Sequence, residues 1–237
     1  MEISGYATLT RQSGLLRELQ AIANNIANSS TTGFRREGVI FTEYVSRLEG
    51  APSLSMARAS ARHVDLSEGE LSQTGGSFDF AIQGEEFFLV ETPRGNRLTR
   101  AGSFTPNAAG ELVNPDGYRL LDESGGPVFV PPDAGPIALA QDGTLSANGE
   151  PLARIGLWGP QDPDDLRHEG GTLFVTQNGE APLEGGVILQ GQVEGSNVDP
   201  FAEVARMIEV QRAYEARQSF LVNEDDRSRS AIETLGR

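Results

Sequence analysis

Apolar residues recur at helical spacing along the first part of the chain, from about Ile3 to Asn28. One row repeats every seven residues, and neighbouring positions widen it into a stripe. This pattern predicts an amphipathic helix that packs one apolar face against a partner. The apolar residues that we expect to make contacts through this face are Leu9, Leu16, Leu19, Ile22, Ala23 and Ile26.

A change in residue type marks the end of this helix. Four hydroxyl residues at 29–32, among them Thr31, can bond to the nearby backbone and compete with helix continuation. Gly33 then permits a positive φ, and Phe34 offers an apolar anchor after the turn. We therefore expect residues 1–34 to form an N-terminal helical segment. Besides its apolar residues, the residues of this segment that we expect to make assembly contacts are Asn24, Asn25, Asn28, Thr31, Gly33 and Phe34.

The stretch between Leu19 and Phe34 contains no charged residue, although the 237-residue chain contains 34 acidic and 19 basic residues. Asn24, Asn25 and Asn28 supply polar positions there, and their amides can pair in a close contact without burying a charge. This pattern leaves two interpretations open. The uncharged face packs either against other subunits or inside its own domain.

The middle of the chain lacks helical periodicity. Residues 35–64 contain short extended runs and a Gly-Ala-Pro break, which predicts an extended connector with one strand or hairpin. In residues 65–197, turn signals such as Asp142-Gly143 and Asn178-Gly179 separate short apolar stretches. Many short strands indicate an all-β domain of the sandwich or irregular barrel type.

Helical periodicity returns in residues 198–237. Ser196 or Asp199 can cap this helix, and Pro200 suits its first turn. A helix of roughly 38 residues would span about 57 Å, and a periodic pattern of that length suggests a coiled coil. The residues that we expect to make contacts along its two rows are Val204, Met207, Ile208, Val210, Gln211, Tyr214, Leu221, Val222 and Leu235.

Neither terminal helix is expected to be stable alone, because most helical stability comes from packing the apolar face. If the two helices pair with each other, each covers an apolar face of the other. The predicted fold class is therefore mixed α and β, with N- and C-terminal helices paired as a coiled-coil stem and an all-β middle domain. A two-helix stem leaves apolar surface uncovered, so we expect further subunits to contact it.

The amino-acid composition excludes several classes of function for this chain. The formal charge is −15 and every basic residue is Arg, which excludes chemistry that needs a lysine. Residues 63–197 contain 6 Arg and 21 acidic residues, a net of −15, so the two ends together sum to zero. A chain this acidic is a poor candidate for nucleic-acid binding. It contains no Cys, which excludes disulfides and thiolate metal sites.

Candidate catalytic groups are few. The two histidines, His63 and His168, are distant in sequence, and a lone His in an acidic loop is more often solvated than catalytic. The sequence DPDD at 162–165 lacks the Gly and the distal Glu of a calcium loop, so weak ion binding by residues 162–169 stays open but is not favoured. Arg100 either pairs with an internal carboxylate, which we favour, or touches a neighbouring subunit. We expect no enzymatic activity, no catalytic or metal-binding residue and no cofactor.

Three motifs carry a resemblance to a known family, and they cover nearly the whole chain. They are ANNIANSSTTGFRR near the N-terminus, GEEFFLVETPRGNRLTRAGSFTPNAAGELVNPDGYRLL in the middle, and VEGSNVDPFAEVARMIEVQRAYEARQSFL near the C-terminus. In this order they resemble the signatures of bacterial flagellar rod and hook proteins. Leu98 stands where that family often has Tyr, and Glu86 stands where it often has Gly.

Chain length and the N-terminal motif are most similar to the proximal-rod type that carries a β domain. A distal-rod protein is the alternative within the family. An alternative from a different class is a secreted β-domain binding module that its helical ends oligomerise.

The resemblance implies a structural, non-enzymatic subunit of the basal-body rod, which crosses the periplasm. It implies export in an unfolded state through the flagellar type III apparatus, and assembly with copies of itself and other rod proteins into a helical tube that transmits torque. The apolar runs are too short to cross a bilayer, and the N-terminus lacks the pattern of a cleavable signal peptide. We therefore expect no membrane insertion and export without a cleaved signal.

Overall fold

A computed structural model of the chain describes residues 2–46, 54–162 and 165–235. It divides into two compact units. Unit 1 consists of residues 1–27, 37–63 and 199–237, and unit 2 consists of residues 28–36 and 64–198.

Unit 1 is built from two long helices and two strands. Helix α1 spans Glu2–Ala27, and helix α2 spans Pro200–Leu235. Strands β1, Glu37–Ser46, and β2, Leu54–Val64, pair as a two-stranded sheet within the segment that we interpreted as a connector. Helix α1 contacts both α2 and β1. The two helices predicted at the chain ends are therefore confirmed, whereas their packing as a coiled coil stays a prediction.

The sequence signals explain where the helices end and begin. Helix α1 ends at Ala27, and Gly33 in the following turn has a φ of 72°, which a glycine adopts without strain. At the start of α2, the carboxylate of Asp199 accepts hydrogen bonds from the backbone N–H of Phe201 at 2.9 Å and of Ala202 at 3.1 Å. Asp199 is thus the N-terminal cap, because it satisfies donors that the first turn leaves unpaired.

Unit 2 consists of short strands joined by tight turns. In chain order the strands are β3 Leu71–Gln73, β4 Phe80–Gln83, β5 Phe88–Thr92, β6 Gly95–Thr99, β7 Thr105–Pro106, β8 Leu112–Val113, β9 Arg119–Leu120, β10 Ile137–Leu139, β11 Thr144–Ala147, β12 Glu150–Arg154, β13 Trp158–Pro160, β14 Arg167–Gly170, β15 Leu173–Val175, β16 Glu180–Pro182, β17 Val187–Gln190 and β18 Gln192–Glu194. The mostly β middle of a mixed α and β fold is confirmed.

The strands of unit 2 form one large sheet and several small ones. The large sheet has seven strands in the order β14-β15-β6-β5-β9-β8-β7, and β10, β11 and β12 form a three-stranded sheet. Strand β18 pairs with β3, β17 with β4, and β13 with β16. Buried side chains in two clusters hold these sheets together, one around Phe80, Phe88 and Phe104 and the other around Phe87 and Phe174.

Residues 28–36 belong to unit 2, although the sequence pattern assigns residues up to 34 to the helical stem. The structure differs because this segment packs against β strands. The ring of Phe34 is fully buried and stacks on the His168 ring at 5.1 Å, and the N–H of Gly33 donates to the carbonyl of Glu194 at 2.7 Å. Nor is His168 a solvated loop residue, because its Nε2 lies 2.9 Å from the Arg35 carbonyl oxygen.

Candidate assembly surface

The two helices of unit 1 are antiparallel, and the side chains between them are buried. Asn25, near the end of α1, contacts Glu203 near the start of α2, whereas Arg11 lies close to Arg217 further along α2. Ile22 of α1 is buried, as is Val210 of α2. Pairing of the helices therefore covers one face of each.

A second face of α2 is apolar and exposed. Phe201 is 87% exposed, and Val204 and Ile208 are each 46% exposed. These residues recur at positions i, i+3 and i+7, so they lie on one side of the helix. Val222 and Phe220 are exposed further along α2, and Leu16 is exposed on α1. A face of this kind can gain about 25 cal/mol for each Å² of apolar area that a partner covers.

The structure places the predicted contact residues in three environments. The buried ones are Ile22, Asn25, Gly33, Phe34 and Val210. The half-buried ones are Leu19, Ile26, Asn28, Thr31, Met207, Tyr214 and Leu221. The exposed ones are Leu16, Ala23, Asn24, Val204, Ile208, Gln211 and Val222. The side chains of Leu9 and Leu235 lie outside the described part of the chain.

The predicted N-terminal contact residues are divided between the two units. Asn28, Thr31, Gly33 and Phe34 belong to unit 2, where the Thr31 hydroxyl lies 3.2 Å from Oδ1 of Asn28. The others belong to unit 1. Among the described residues of these sets, the exposed ones present the most surface to other molecules in this conformation, and the half-buried ones present less.

Asn25 is occupied inside the chain. Its Nδ2 donates to the carbonyl of Glu37 at 2.9 Å and to Oε2 of Glu203 at 3.2 Å, and its Oδ1 accepts from the N–H of Glu37 at 2.9 Å. Asn25, Glu203 and Glu37 are all buried. This amide therefore ties the end of α1 to both β1 and α2.

An ion pair that the sequence did not single out joins the same helices. Arg206 donates from Nε at 2.9 Å and from Nη2 at 2.7 Å to Oε1 of Glu18, which is buried. The hydrogen bond to Glu18 raises the pKa of Arg206 above its ordinary value, against an opposing effect of burial. The sequence contains one indication of this ion pair, because Glu18 precedes Asn25 by seven residues and so lies on the same side of α1.

Unit 2 contains a buried charge cluster of Arg35, Arg100 and Glu194, which we call the Glu194 cluster. Nε of Arg100 lies 2.7 Å from one carboxylate oxygen of Glu194, and Nη1 of Arg35 lies 2.6 Å from the other. Arg100 also donates to the carbonyls of Ile82 at 3.0 Å and Gly84 at 2.9 Å. The internal role favoured for Arg100 is confirmed, whereas Arg35 and Glu194 were not identified from the sequence.

The two guanidiniums of the Glu194 cluster share one carboxylate. Burial lowers the pKa of Arg35, and the charge of Arg100 lowers it further, while the charge of Glu194 raises it. Within the described residues, Nε of Arg35 is buried without a hydrogen-bond partner. Glu194 is therefore the carboxylate on which both buried cations depend.

A side-chain amide bridges two chain segments of unit 2 close to the Glu194 cluster. Oδ1 of Asn197 accepts from the N–H of Arg36 at 2.6 Å, and its Nδ2 donates to the carbonyls of Asp65 at 3.0 Å and Ser67 at 2.9 Å. The segments in which the chain enters and leaves unit 2 are therefore held together by both the Glu194 cluster and Asn197.

Nothing in the described residues forms a metal site. They contain no group of three or more His, Cys, Asp or Glu side chains that could hold an ion. Asp165 is buried, and its carboxylate accepts hydrogen bonds from the backbone N–H of Gln177 and of Asn178 at 2.7 Å. Pro163 and Asp164, in the loop where weak ion binding was left open, lie outside the described residues. Among the described helices, none is both long and apolar enough to span a bilayer.

Family models match three parts of the chain. The model described as flagella basal body rod protein matches residues 6–35. The model of the flagellar hook protein FlgE/F/G D1 domain matches residues 81–147, and that of the flagellar basal body rod FlgEFG protein C-terminal matches residues 189–234. These matches include both terminal helices and much of unit 2.

Curated relatives match over the whole length. The chain is 37% identical to the flagellar basal-body rod protein FlgF of Caulobacter vibrioides and 38% identical to FlgF of Mesorhizobium japonicum, in each case over 100% of this chain and 99% of the relative. It is 32% identical to the rod protein FlgG of Agrobacterium fabrum, over 88% of this chain and 90% of the relative.

The chain belongs to the flagellar basal-body rod protein family, and it is a structural subunit of the rod in the flagellar basal body. Within this family it is a rod protein of the FlgF type, because two relatives named FlgF match its whole length at 37% and 38% identity, above the 32% of the FlgG relative. Membership in the rod implies assembly with other rod components.

Proposed function

We propose that this subunit is exported unfolded through the flagellar type III apparatus and becomes part of the proximal rod when its terminal helices pair. The paired helices form a coiled-coil stem, and stems of neighbouring subunits pack into a helical tube that crosses the periplasm and transmits torque. The observation that carries this proposal is the exposed apolar face of α2, with Phe201, Val204 and Ile208.

This face suits a partner that is itself a rod subunit. Helices as long as α1 and α2 gain most of their stability from packing, and contact with α1 leaves one side of α2 apolar and exposed. Contacts between unlike surfaces that do not close into a ring build open helical arrays. Repeated burial of this face along the array would stabilise the helices and stiffen the tube.

The net charge of unit 2 supports the proposal that the helices of unit 1, and not unit 2, make the close contacts of the rod. Its two segments contain 8 Arg and 21 acidic residues, so its net charge is −13, whereas unit 1 has 11 Arg and 13 acidic residues and a net charge of −2. Surfaces with a large net charge stay solvated and repel their copies. The nearly neutral helices can approach other helices closely without that penalty.

Replacement of Ile208 by Asp tests the proposal. A charge on the exposed apolar face is expected to stop rod growth and motility, because a contact that buries this position would have to desolvate an unpaired carboxylate. Leu183→Asp is the matched control, since Leu183 is an equally large aliphatic residue with 43% exposure but lies in unit 2. Normal motility with Ile208→Asp, measured in soft agar, would contradict the proposal.

A position in the distal rod is the alternative to a position in the proximal rod. Labelling of this subunit in partly built basal bodies separates the two positions. A proximal subunit is present before the distal rod has formed, whereas a distal subunit is absent from such particles.

A further inference from the structure

The contact between α1 and α2 contains buried polar side chains at defined positions. Glu18 and Asn25 lie on one side of α1, and their partners Arg206 and Glu203 lie in the first two turns of α2. We call the contacts Glu18–Arg206 and Asn25–Glu203 the polar pairs. Three of these four residues are buried, and Arg206 is half exposed.

The polar pairs restrict the alignment of α1 along α2 more strongly than the apolar residues around them do. Apolar rows that repeat every seven residues accept a shift of one helix along the other, because the shifted stripe meets a similar stripe. A polar side chain in the contact instead needs a particular partner. Without it, a buried donor or carboxylate loses its interaction with water and gains nothing in return.

The charged residues along α2 indicate that the observed alignment of the two helices has an electrostatic cost. In the observed alignment Arg11 lies near Arg217, and the pKa of Arg217 is lowered, first by burial and then by the charge of Arg11. A shift of α2 by about one heptad would move Arg217 towards Glu18 and relieve this repulsion. The observed alignment is kept although it brings two cations together, so other contacts must outweigh that cost.

We propose that the polar pairs set the register in which α1 accepts α2 of its own chain, and that they exclude the C-terminal helices of other rod subunits from this position. The inference rests on the proposed function, since it assumes that the terminal helices pair in the rod. A foreign helix without a cation opposite Glu18 leaves this buried carboxylate without its ion pair, which is how an interface rejects a wrong partner. A foreign helix without an acid opposite Asn25 removes one of the three hydrogen bonds of that amide and leaves the two with Glu37.

Charge reversal of the Glu18–Arg206 pair tests this assignment. Glu18→Arg and Arg206→Glu are introduced singly and together as the only copy of the subunit, and the amount in purified basal bodies is measured relative to the amount in whole cells. Each single change is expected to lower incorporation about tenfold, because Arg206 is half exposed and its loss is partly screened. The double variant is expected to recover most of the incorporation.

Arg217→Glu is the matched control on the same helix. In the proposed register it gives Arg11 an opposite charge, so incorporation is expected to stay within about twofold of the parent protein. In a register shifted by a heptad, the same change would place a second carboxylate beside Glu18. Loss of incorporation with Arg217→Glu and normal incorporation with Arg206→Glu would therefore overturn the proposal.

Co-expression of the two single variants separates pairing within a chain from pairing between copies. Within one chain, each variant retains two like charges, so the mixture is expected to incorporate as poorly as either variant alone. Recovery in the mixture would show that Glu18 meets Arg206 of another copy. That result overturns the proposal, as would normal incorporation of both single variants or a double variant as poor as the worse single one.

The Ile208→Asp variant separates a failure of the proposed function from a failure of the register assignment. If Ile208→Asp blocks rod growth while the charge reversals have no effect, the proposed function stands and the register assignment falls. If neither Ile208→Asp nor the reversals reduce incorporation, the assembly surface itself has been assigned to the wrong residues.

Discussion

The carboxylate of Glu194 is shared by two buried guanidiniums and also accepts the N–H of Gly69 at 2.8 Å. A pair of this kind adds little net stability compared with an apolar substitute, because both charges lose their water. Removal of one member is costly, since the other charges then stay buried without compensation. Arg100 was identified from its motif, whereas Glu194 was not, because a pairing across 94 residues has no local signal.

Glu194→Gln is expected to destabilise unit 2 by about 3–5 kcal/mol, because Arg35 and Arg100 lose their shared counter-charge while they remain buried. Urea unfolding of the full chain at pH 7 measures this change. Glu184→Gln, at an exposed position in the same unit, is the control and is expected to stay within about 0.5 kcal/mol of the parent protein. Equal midpoints for the two variants would refute the role of the cluster.

Glu169 gives unit 2 a contribution that depends on pH. Its carboxylate accepts hydrogen bonds from Arg97 and, at 2.7 Å, from Arg94. The hydrogen bond from Arg97, then the Arg97 charge and the contacts with Arg94, lower the pKa of Glu169 below its ordinary value of 4.5. A lowered pKa in the folded state means that the contribution is complete above the unfolded-state pKa and is lost as pH falls through the folded-state pKa.

Glu169→Gln is therefore expected to be less stable than the parent protein at neutral pH, with the difference shrinking below pH 4.5 and vanishing once the carboxylate is protonated. Thermal unfolding between neutral and acidic pH measures this difference. A constant difference across that range would show that Glu169 acts through packing and not through its charge.

The helices illustrate what local signals can and cannot determine. Helix α1 ends one residue before the predicted position, and α2 begins at Pro200 directly after its cap, because hydroxyl residues, Gly33 and Asp199 act on their own neighbourhood. Strand existence followed from turn signals in the same way. Strand order did not, since the seven-stranded sheet joins β15 to β6 across more than seventy residues of chain.

Asp199→Ala tests the cap at the start of α2. The first-turn amides of Phe201 and Ala202 lose their acceptor, so the first turn of the helix is expected to be destabilised by about 1 kcal/mol. Hydrogen exchange at these two amides should quicken about fivefold. Asp199→Asn keeps an acceptor oxygen and should leave exchange nearly unchanged, whereas equal exchange in Asp199→Ala and the parent protein would argue against the cap.

The boundary of unit 2 differs from the limit of the β domain that the sequence pattern predicts. That pattern limits the β domain to residues 65–197, yet Phe34 and Arg35 are buried among the side chains of unit 2. The reason is physical: residues 28–36 look like the end of a helix by composition, and their long-range partners Glu194, Asn197 and His168 lie more than 130 residues away. Val204, Ile208 and Val222 were among the contact residues predicted on α2, because a helical stripe is a local pattern. Phe201 and Phe220, which are exposed on the same helix, were not predicted.

A fragment of residues 28–198 is expected to unfold at a higher temperature than a fragment of residues 65–198. Only the longer fragment contains the Phe34 ring and the Arg35 partner of Glu194. Differential scanning calorimetry of the two fragments measures the shift, and the Arg35→Ala variant of the longer fragment shows how much of it depends on the ion pair. Equal melting temperatures for both fragments would mean that residues 28–36 add nothing to the unit.

The junction at which Asn197 meets Arg36 has a consequence for how such a chain can change in evolution or in the laboratory. The chain crosses between the two units four times, and Asn197 is hydrogen-bonded both to Arg36 and to Asp65, which lie beside two of the other crossings. Residues 64–198, the larger segment of unit 2, therefore begin and end side by side. An insert with adjoining ends can be enlarged, trimmed or exchanged with little effect on the scaffold that receives it. A foreign domain with similarly close ends, grafted in place of this segment, should therefore be incorporated into the rod and displayed once on every subunit.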